Sequence, residues 1–305
     1  MNDLSLPSVD ELTRLHAALA LDSNVDATAL PNGQGVQALA YAASRRLGFI
    51  DADAHCIAHA WQRQTDRTGH FEVALWPEAA VDYGLLPPGQ APGQAFAPCP
   101  RDLGVYAVLP DAQWVGRMAA AGVPTVQLRF KSSDPAAIRS EVQAAVAAVK
   151  GTDSLLFIND HWREAMAAGA YGVHLGQEDL DTLSPADLDA MRQSGLRLGL
   201  STHGYAEMVK AAQVQPSYLA LGAVFPTTLK AMQTPPQGLA RLQAYARLAR
   251  DYPLVAIGGI AIEHLPAVAG TGVGSFAVVR AITGAEAPEA AARLLMERWT
   301  QARGA

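Results

Sequence analysis

The chain has 305 residues, half of them hydrophobic and 17% charged, with a formal net charge of −6. That length fits one barrel plus an extra piece better than a single ordinary domain. The low charge content argues against a disordered chain, and the negative balance gives no electrostatic case for nucleic acid or an anionic membrane as partner. The two cysteines, Cys56 and Cys99, form no Cys-x-x-Cys pair, and a disulfide scaffold is implausible at this size. The N-terminus lacks a basic region followed by a long apolar run, and no apolar stretch approaches the ~20 residues of a membrane helix. A soluble, cytoplasmic chain is expected.

Residues 1–98 read as a mainly helical region of unassigned role. Ser8 and Glu11 make a capping box ahead of Val9, Leu12, Leu15 and Leu19, which fall at helical spacing. A second helix is expected over about 34–47, stopping at Gly48, and a third over about 54–64. His55 and His59 lie one helical turn apart beside Cys56. That spacing can bind metal, but with no further ligand set a plain helix face is the better reading. Trp61 and Trp76 read as packing anchors. Residues 86–100, LPPGQAPGQAFAPCP, are too rich in Pro, Gly and Gln for a helix or a central strand and read as a linker or irregular strap.

From residue 99 onward the pattern changes. Apolar runs begin at Leu103, Thr125, Leu155, Gly172, Leu196, Tyr218, Leu254 and Gly274. They are nearly continuous in apolar residues, the mark of parallel strands covered on both faces. Helical segments alternate with them. Asp134–Pro135 and Ser184–Pro185 place a capping residue before a first-turn proline, and Gly122, Gly169, Gly195 and Gly270 sit where helices should end. Eight strand–helix repeats predict an α/β fold, a (β/α)8 TIM barrel over 99–305, with an open doubly wound sheet as the alternative.

In such a barrel the site lies at the C-terminal strand ends. Those ends carry Arg129 and Lys131, Asn159 and Asp160, Gln177 to Asp179, Ser201 to His203, Thr227, Thr228 and Lys230, Gly258 and Gly259, and Arg280. The chain has only four lysines, so two of them at strand ends is a pointed placement. Arg129, Lys131 and Lys230 suit a diphosphate. Asp160 and Asp179 are hard oxygen donors suited to Mg²⁺, although each could instead cap a helix. Gly258 and Gly259 allow backbone N–H groups to approach a second phosphate. His174 reads equally as a satisfied core histidine or as a pocket wall, and His203 as a packing or hydrogen-bonding residue.

The segments QLRFK at 127–131, FINDHW at 157–162, GVHLGQEDL at 172–180, LGLSTH at 198–203, GAVFPTTLK at 222–230 and VAIGGI at 255–260 resemble thiamine-phosphate synthases over about residues 103–299. The resemblance implies a transferase. It would condense 4-amino-2-methyl-5-hydroxymethylpyrimidine diphosphate with 4-methyl-5-(2-hydroxyethyl)thiazole phosphate, through a pyrimidine carbocation, giving thiamine phosphate and pyrophosphate. It further implies that Arg129, Lys131 and Lys230 act on the diphosphate, which Ser201 also touches. Gln127 and Asn159, with His174 beside them, would hold the pyrimidine substrate. Asp160 and Asp179 would bind Mg²⁺, and Thr227, Thr228, Gly258, Gly259 and the Val279–Arg280 turn would hold the thiazole phosphate. Two positions depart from the family pattern. Leu229 stands where a threonine is usual, and Arg280 where a serine is usual. Competing expectations are a thiazole tautomerase-like isomerase using His203, or a non-catalytic ligand-binding barrel with an N-terminal interaction module. The partners expected are small-molecule substrates, with a monomer or a small homo-oligomer both allowed.

Overall fold

A computed structural model of the chain describes residues 6–21, 35–90, 95–227 and 234–304. Eight parallel strands close on themselves in the order of the sequence: β1 (Gly104–Leu109), β2 (Thr125–Leu128), β3 (Leu155–Asn159), β4 (Gly172–Leu175), β5 (Arg197–Thr202), β6 (Tyr218–Leu221), β7 (Leu254–Ile257) and β8 (Ser275–Val278). The barrel is sealed by β8 pairing with β1, Val105 opposite Phe276. The open-sheet alternative is thereby excluded. Helices follow the strands as the capping signals imply: the Asp134 carboxylate accepts from the Ala136 N–H and the Ser184 hydroxyl from the Asp187 N–H, each just before a proline.

The apolar continuity of the strands has a direct cause. Along β1, Val105, Ala107 and Leu109 pack outward against helices, while Tyr106 and Val108 fill the barrel. Along β6, Leu219 and Leu221 face out and Tyr218 and Ala220 face in. Both faces are largely dry, so most positions are apolar and the polar ones are hydrogen-bonded, as at Thr125 and Gln127. The interior alternates large and small. A Cβ on Gly199 would lie 2.1 Å from the Tyr218 ring, and one on Gly172 would lie 2.4 Å from the Phe157 ring. The aromatic side chains occupy the space those glycines leave.

Residues 95–103 pass under the opposite, N-terminal end of the barrel without regular structure; residues 91–94 of the expected strap lie outside the described residues. Phe96 is buried and its N–H donates to the Gln215 carbonyl, and the Ser217 hydroxyl donates to the Ala97 carbonyl. Cys99 packs against the interior cluster.

The N-terminal region is helical: α1 (Val9–Leu15), α2 (Val36–Arg46), α3 (Asp51–Thr68) and α4 (Ala80–Tyr83). Ser8 caps α1 through the Glu11 N–H. Two expectations need correction. The stripe from Val9 to Leu19 is not one helix: α1 ends at Leu15, which is exposed, and Leu19 is buried from a separate 3-10 turn. The break falls at His16, whose ring leaves the helix pattern to pack against Trp61 and Trp76, with Nε2 2.9 Å from the Val73 carbonyl oxygen. The third helix is also longer than its apolar core, because it runs on until Gly69 takes a left-handed conformation. Trp61 and Trp76 do anchor the packing: Trp61 is fully buried, and the Trp76 indole N–H donates to the Tyr205 hydroxyl of the helix Tyr205–Gln213 that follows β5. His55 sits on the outer face of α3 against the Tyr41 ring. Among the described residues no helix is long and apolar enough to cross a membrane.

Two buried charges fasten this region to the barrel. Arg241, on the helix Gly238–Leu248 after β6, is 2% exposed. It donates to the carbonyl oxygens of Leu19 and Leu47 at 2.9 and 2.7 Å, and its guanidinium lies over the Phe49 ring. These carbonyls lie at helix ends, where C=O groups lack intrahelical partners. From the other side, Asp53 of α3 is 4% exposed and accepts from the Ala206 N–H at 2.8 Å.

Arg241→Ala should destabilise the chain by about 2 kcal/mol, since it strands the buried Leu19 carbonyl and removes one of two donors to that of Leu47, which the Leu21 N–H also serves. Urea unfolding measures this, and a loss below ~1 kcal/mol would contradict the fastening role. Burial pushes the Asp53 carboxyl up to about 6 from 3.8, against the opposing pull of the Ala206 N–H and Arg241, with Glu207 adding to the rise. The folded chain therefore holds this proton more tightly than the unfolded one, and stability from this group is lost as pH rises from about 4 through 6. Asp53→Asn removes that dependence. Its stability relative to the parent should grow by up to about 3 kcal/mol between pH 4 and 7, and parallel pH profiles would refute the shift.

Candidate active site

Strand closure gathers the C-terminal ends into one ring around a cavity of about 850 Å³. Its floor is the top layer of interior side chains: Tyr106, Val108, Tyr218, Ala220, Val255 and Ala277. Its volume lies within the range of small-molecule sites.

One side of the rim comes from β2 to β5. Gln127 points into the barrel from β2 and its amide donates to Asn159 Oδ1 at 2.8 Å, while Gln127 Oε1 accepts from the Tyr106 hydroxyl. The Tyr106 hydroxyl also meets that of Tyr218 at 2.8 Å. The Tyr218 hydroxyl lies 2.6 Å from His174 Nδ1, and His174 Nε2 lies 2.8 Å from Ser201 Oγ. A polar chain thus runs from Asn159 to Ser201 across four strands and the floor. Burial holds the Tyr106 and Tyr218 phenols far above their ordinary pKa, so both stay protonated. His174 is hydrogen-bonded in the core and also lines the cavity.

Above this chain stand the charges. Arg129 follows β2, its N–H bonded to the Leu109 carbonyl, and both Arg129 and the exposed Lys131 line the cavity. Asp160 follows β3 at a φ of 65°, a left-handed turn fixed by its N–H bonding to the His174 carbonyl. Asp179 stands in the first turn of the helix Gln177–Thr182 after β4, and one of its oxygens accepts from the Gly176 N–H at 2.9 Å. The capping reading of Asp179 is therefore correct as far as that oxygen goes. The two carboxyls nevertheless adjoin at the mouth. Desolvation, and then the neighbouring charge of Asp179, raise the Asp160 pKa, with His161 and Arg129 acting the other way. Glu178 also lines the cavity, but among the described residues no group of three or more His, Cys, Asp and Glu side chains converges here.

The other side of the rim comes from β6 to β8. Gly258 and Gly259 have φ values of 100° and 65°, and a Cβ on either would meet Ala223 Cβ or the Pro226 carbonyl at 2.5 Å. Only glycine fits, and the chain there lies open to the cavity. Thr227, Val279 and Arg280 line the same side. Thr228, Leu229 and Lys230 lie outside the described residues. In a closed ring of eight strands β3 faces β7 and β4 faces β8. The acidic pair and the glycine pair therefore oppose each other across the mouth.

The other strand-end residues expected from the sequence line this cavity except Gln177, whose amide instead donates to the Ser201 carbonyl at 2.8 Å. Tyr106 and Tyr218 were not expected there: in strands that are apolar on both faces, nothing in the spacing marks an inward aromatic residue. His203 also lines the cavity, with Nδ1 2.7 Å from Glu207 Oε2.

A family model for thiamine monophosphate synthase matches residues 106–282. The thiamine-phosphate synthase of Neisseria meningitidis serogroup B is 53% identical over 204 residues, spanning 98% of its own length but 67% of this chain. That of Cronobacter sakazakii is 52% identical over 202 residues, 95% of its length and 66% of this chain. Among solved structures, the thiamine phosphate pyrophosphorylase of Pyrococcus furiosus superposes with a TM-score of 0.59 at 27% identity, covering 98% of that chain and 66% of this one. Barrel, mouth and sequence agree, and the chain belongs to the thiamine monophosphate synthase family.

Proposed function

We propose that the barrel mouth joins the pyrimidine diphosphate to the thiazole phosphate, giving thiamine phosphate and pyrophosphate, with residues 99–305 as the catalytic unit. The observation that carries this reading is the opposition of two phosphate-friendly poles across one cavity. Arg129, Lys131, Asp160 and Asp179 stand on one side, and Gly258, Gly259 and Arg280 on the other.

The reaction breaks the bond between the pyrimidine methylene carbon and the diphosphate oxygen, and forms one from that carbon to the thiazole nitrogen. The electron pair of the broken bond leaves with pyrophosphate. No protein nucleophile is required, so the protein's task is to hold two substrates in line and to stabilise the leaving group. Arg129 and Lys131 supply positive charge where the diphosphate departs. Gln127, Asn159, His174 and Ser201 present donors and acceptors to the edge of a flat heterocycle, and protonated Tyr106 and Tyr218 fix the orientation of Gln127 and His174 from below. Open backbone at Gly258 and Gly259, with Thr227 and Arg280, holds the second phosphate.

Asp160 and Asp179 fit Mg²⁺: two adjoining hard oxygen donors whose mutual repulsion a cation would relieve, leaving further positions for water and substrate phosphate. When bound there, the ion neutralises charge building on the departing diphosphate.

Purified full-length chain given both substrates and Mg²⁺ should release pyrophosphate in step with thiamine phosphate. Absence of both products would end this reading, and thiazole isomerisation without pyrophosphate would favour a tautomerase. Asp160→Asn and Asp179→Asn should each lower kcat/KM by about 100-fold or more, an effect that added Mg²⁺ should partly recover. Arg280→Ser should raise KM for the thiazole phosphate about tenfold while sparing that for the diphosphate. An unchanged KM would remove Arg280 from the phosphate site.

A further inference from the structure

The helix Tyr205–Gln213 behind β5 begins at Gly204, which has no side chain with which to cap it. Uncapped first-turn N–H groups in a buried setting are costly. Here the cap comes from far away in the chain. The Asp53 carboxylate, at the first turn of α3, accepts from the Ala206 N–H at 2.8 Å, 153 residues distant. The site is shaped for it: a Cβ on Gly204 would lie 2.1 Å from Asp53 Oδ2. Gly204 is extended, at φ −178°, so glycine serves there to admit the carboxylate and not to relieve the backbone.

The capped turn leads straight to the mouth. Glu207, in the same first turn, accepts from the His203 N–H at 2.9 Å and lies 2.7 Å from His203 Nδ1. His203, Thr202 and Ser201 line the cavity. The matched relatives span nearly their whole lengths on about two thirds of this chain, so the region that supplies Asp53 has no counterpart in them.

We infer that Asp53 is a positioning residue, and that the N-terminal helical region acts through it as part of the active-site wall, holding the β5 end with Ser201 and His203 in the geometry that binds the pyrimidine substrate. The inference rests on the function proposed above for that mouth. Arg241 and the Trp76–Tyr205 contact dock the region, and Asp53 carries the contact to the first turn of the helix after β5, next to His203.

The test uses the full chain as parent, Asp53→Ala and Asp53→Asn. Amide hydrogen exchange should speed about tenfold at Ala206 and at His203 in Asp53→Ala, while Asp53→Asn, which keeps an acceptor oxygen, should stay near the parent. KM for the pyrimidine diphosphate should rise about five- to tenfold in Asp53→Ala, with kcat for the folded enzyme changed less, and Asp53→Asn should restore it. Unchanged exchange at His203 overturns the inference. So does faster exchange with KM unaltered, because the role would then be structural only. A parent that releases no pyrophosphate sinks the proposed function instead, and the exchange at His203 then decides the positioning role alone.

Discussion

Closure of the parallel sheet is the constraint on which the rest of this molecule depends. Once β8 pairs with β1, eight strand ends are held in one ring, and residues from distant parts of the chain are forced around a single cavity. The ring also fixes who faces whom. The carboxylate after β3, with its neighbour after β4, lies opposite the glycines after β7 because three strands lie between β3 and β7 in either direction. No local feature could produce that opposition. It follows from the strand number and from the interior packing of Tyr106, Phe157 and Tyr218 into the space left by Gly172 and Gly199.

The same aromatic interior serves two ends. Downward, it fills the barrel and excludes water. Upward, the hydroxyls of Tyr106 and Tyr218 tie Gln127 to His174 and so carry order from the core into the mouth. A rigid shell beneath the substrate-facing groups is what alignment of two bound reactants needs. On the outside, the N-terminal helices extend the hydrophobic shell of the barrel: Leu12, Trp61 and Trp76 share one continuous cluster with Tyr205, Leu242 and Tyr245. The region is therefore packed into the barrel wall at the helices after β5 and β6, where its Asp53 reaches the start of one helix and the barrel's Arg241 reaches helix ends of the region.

Much of the mouth could be read before any coordinates because its residues are chemically out of place. Lys131 belongs to a chain with four lysines, and Asp160 interrupts the end of an apolar strand. The strand runs and the proline-led caps at Asp134 and Ser184 were legible for the same reason: each is a local signal with a local cause. Tyr106 and Tyr218 were not, because a strand buried on both faces gives no alternation to tell in from out. The stripe from Val9 to Leu19 misled, because regular spacing continued across a break that only the packing of His16 against two tryptophans imposes.

By itself the amino-acid sequence determined the eight strand–helix repeats, the strand ends that bear the charges and the family to which they belong. All of these are written in short-range patterns of polarity and in motifs a few residues long. Only the tertiary structure decided that the sheet closes, that Asp160 and Asp179 adjoin, and that the N-terminal helices are fastened to the helices after β5 and β6. It also assigned the cap of the helix after β5 to Asp53. Such pairings join residues far apart along the chain, and pairwise chemistry at that separation leaves no periodic mark in sequence; it exists once the strands have closed and the helices have docked.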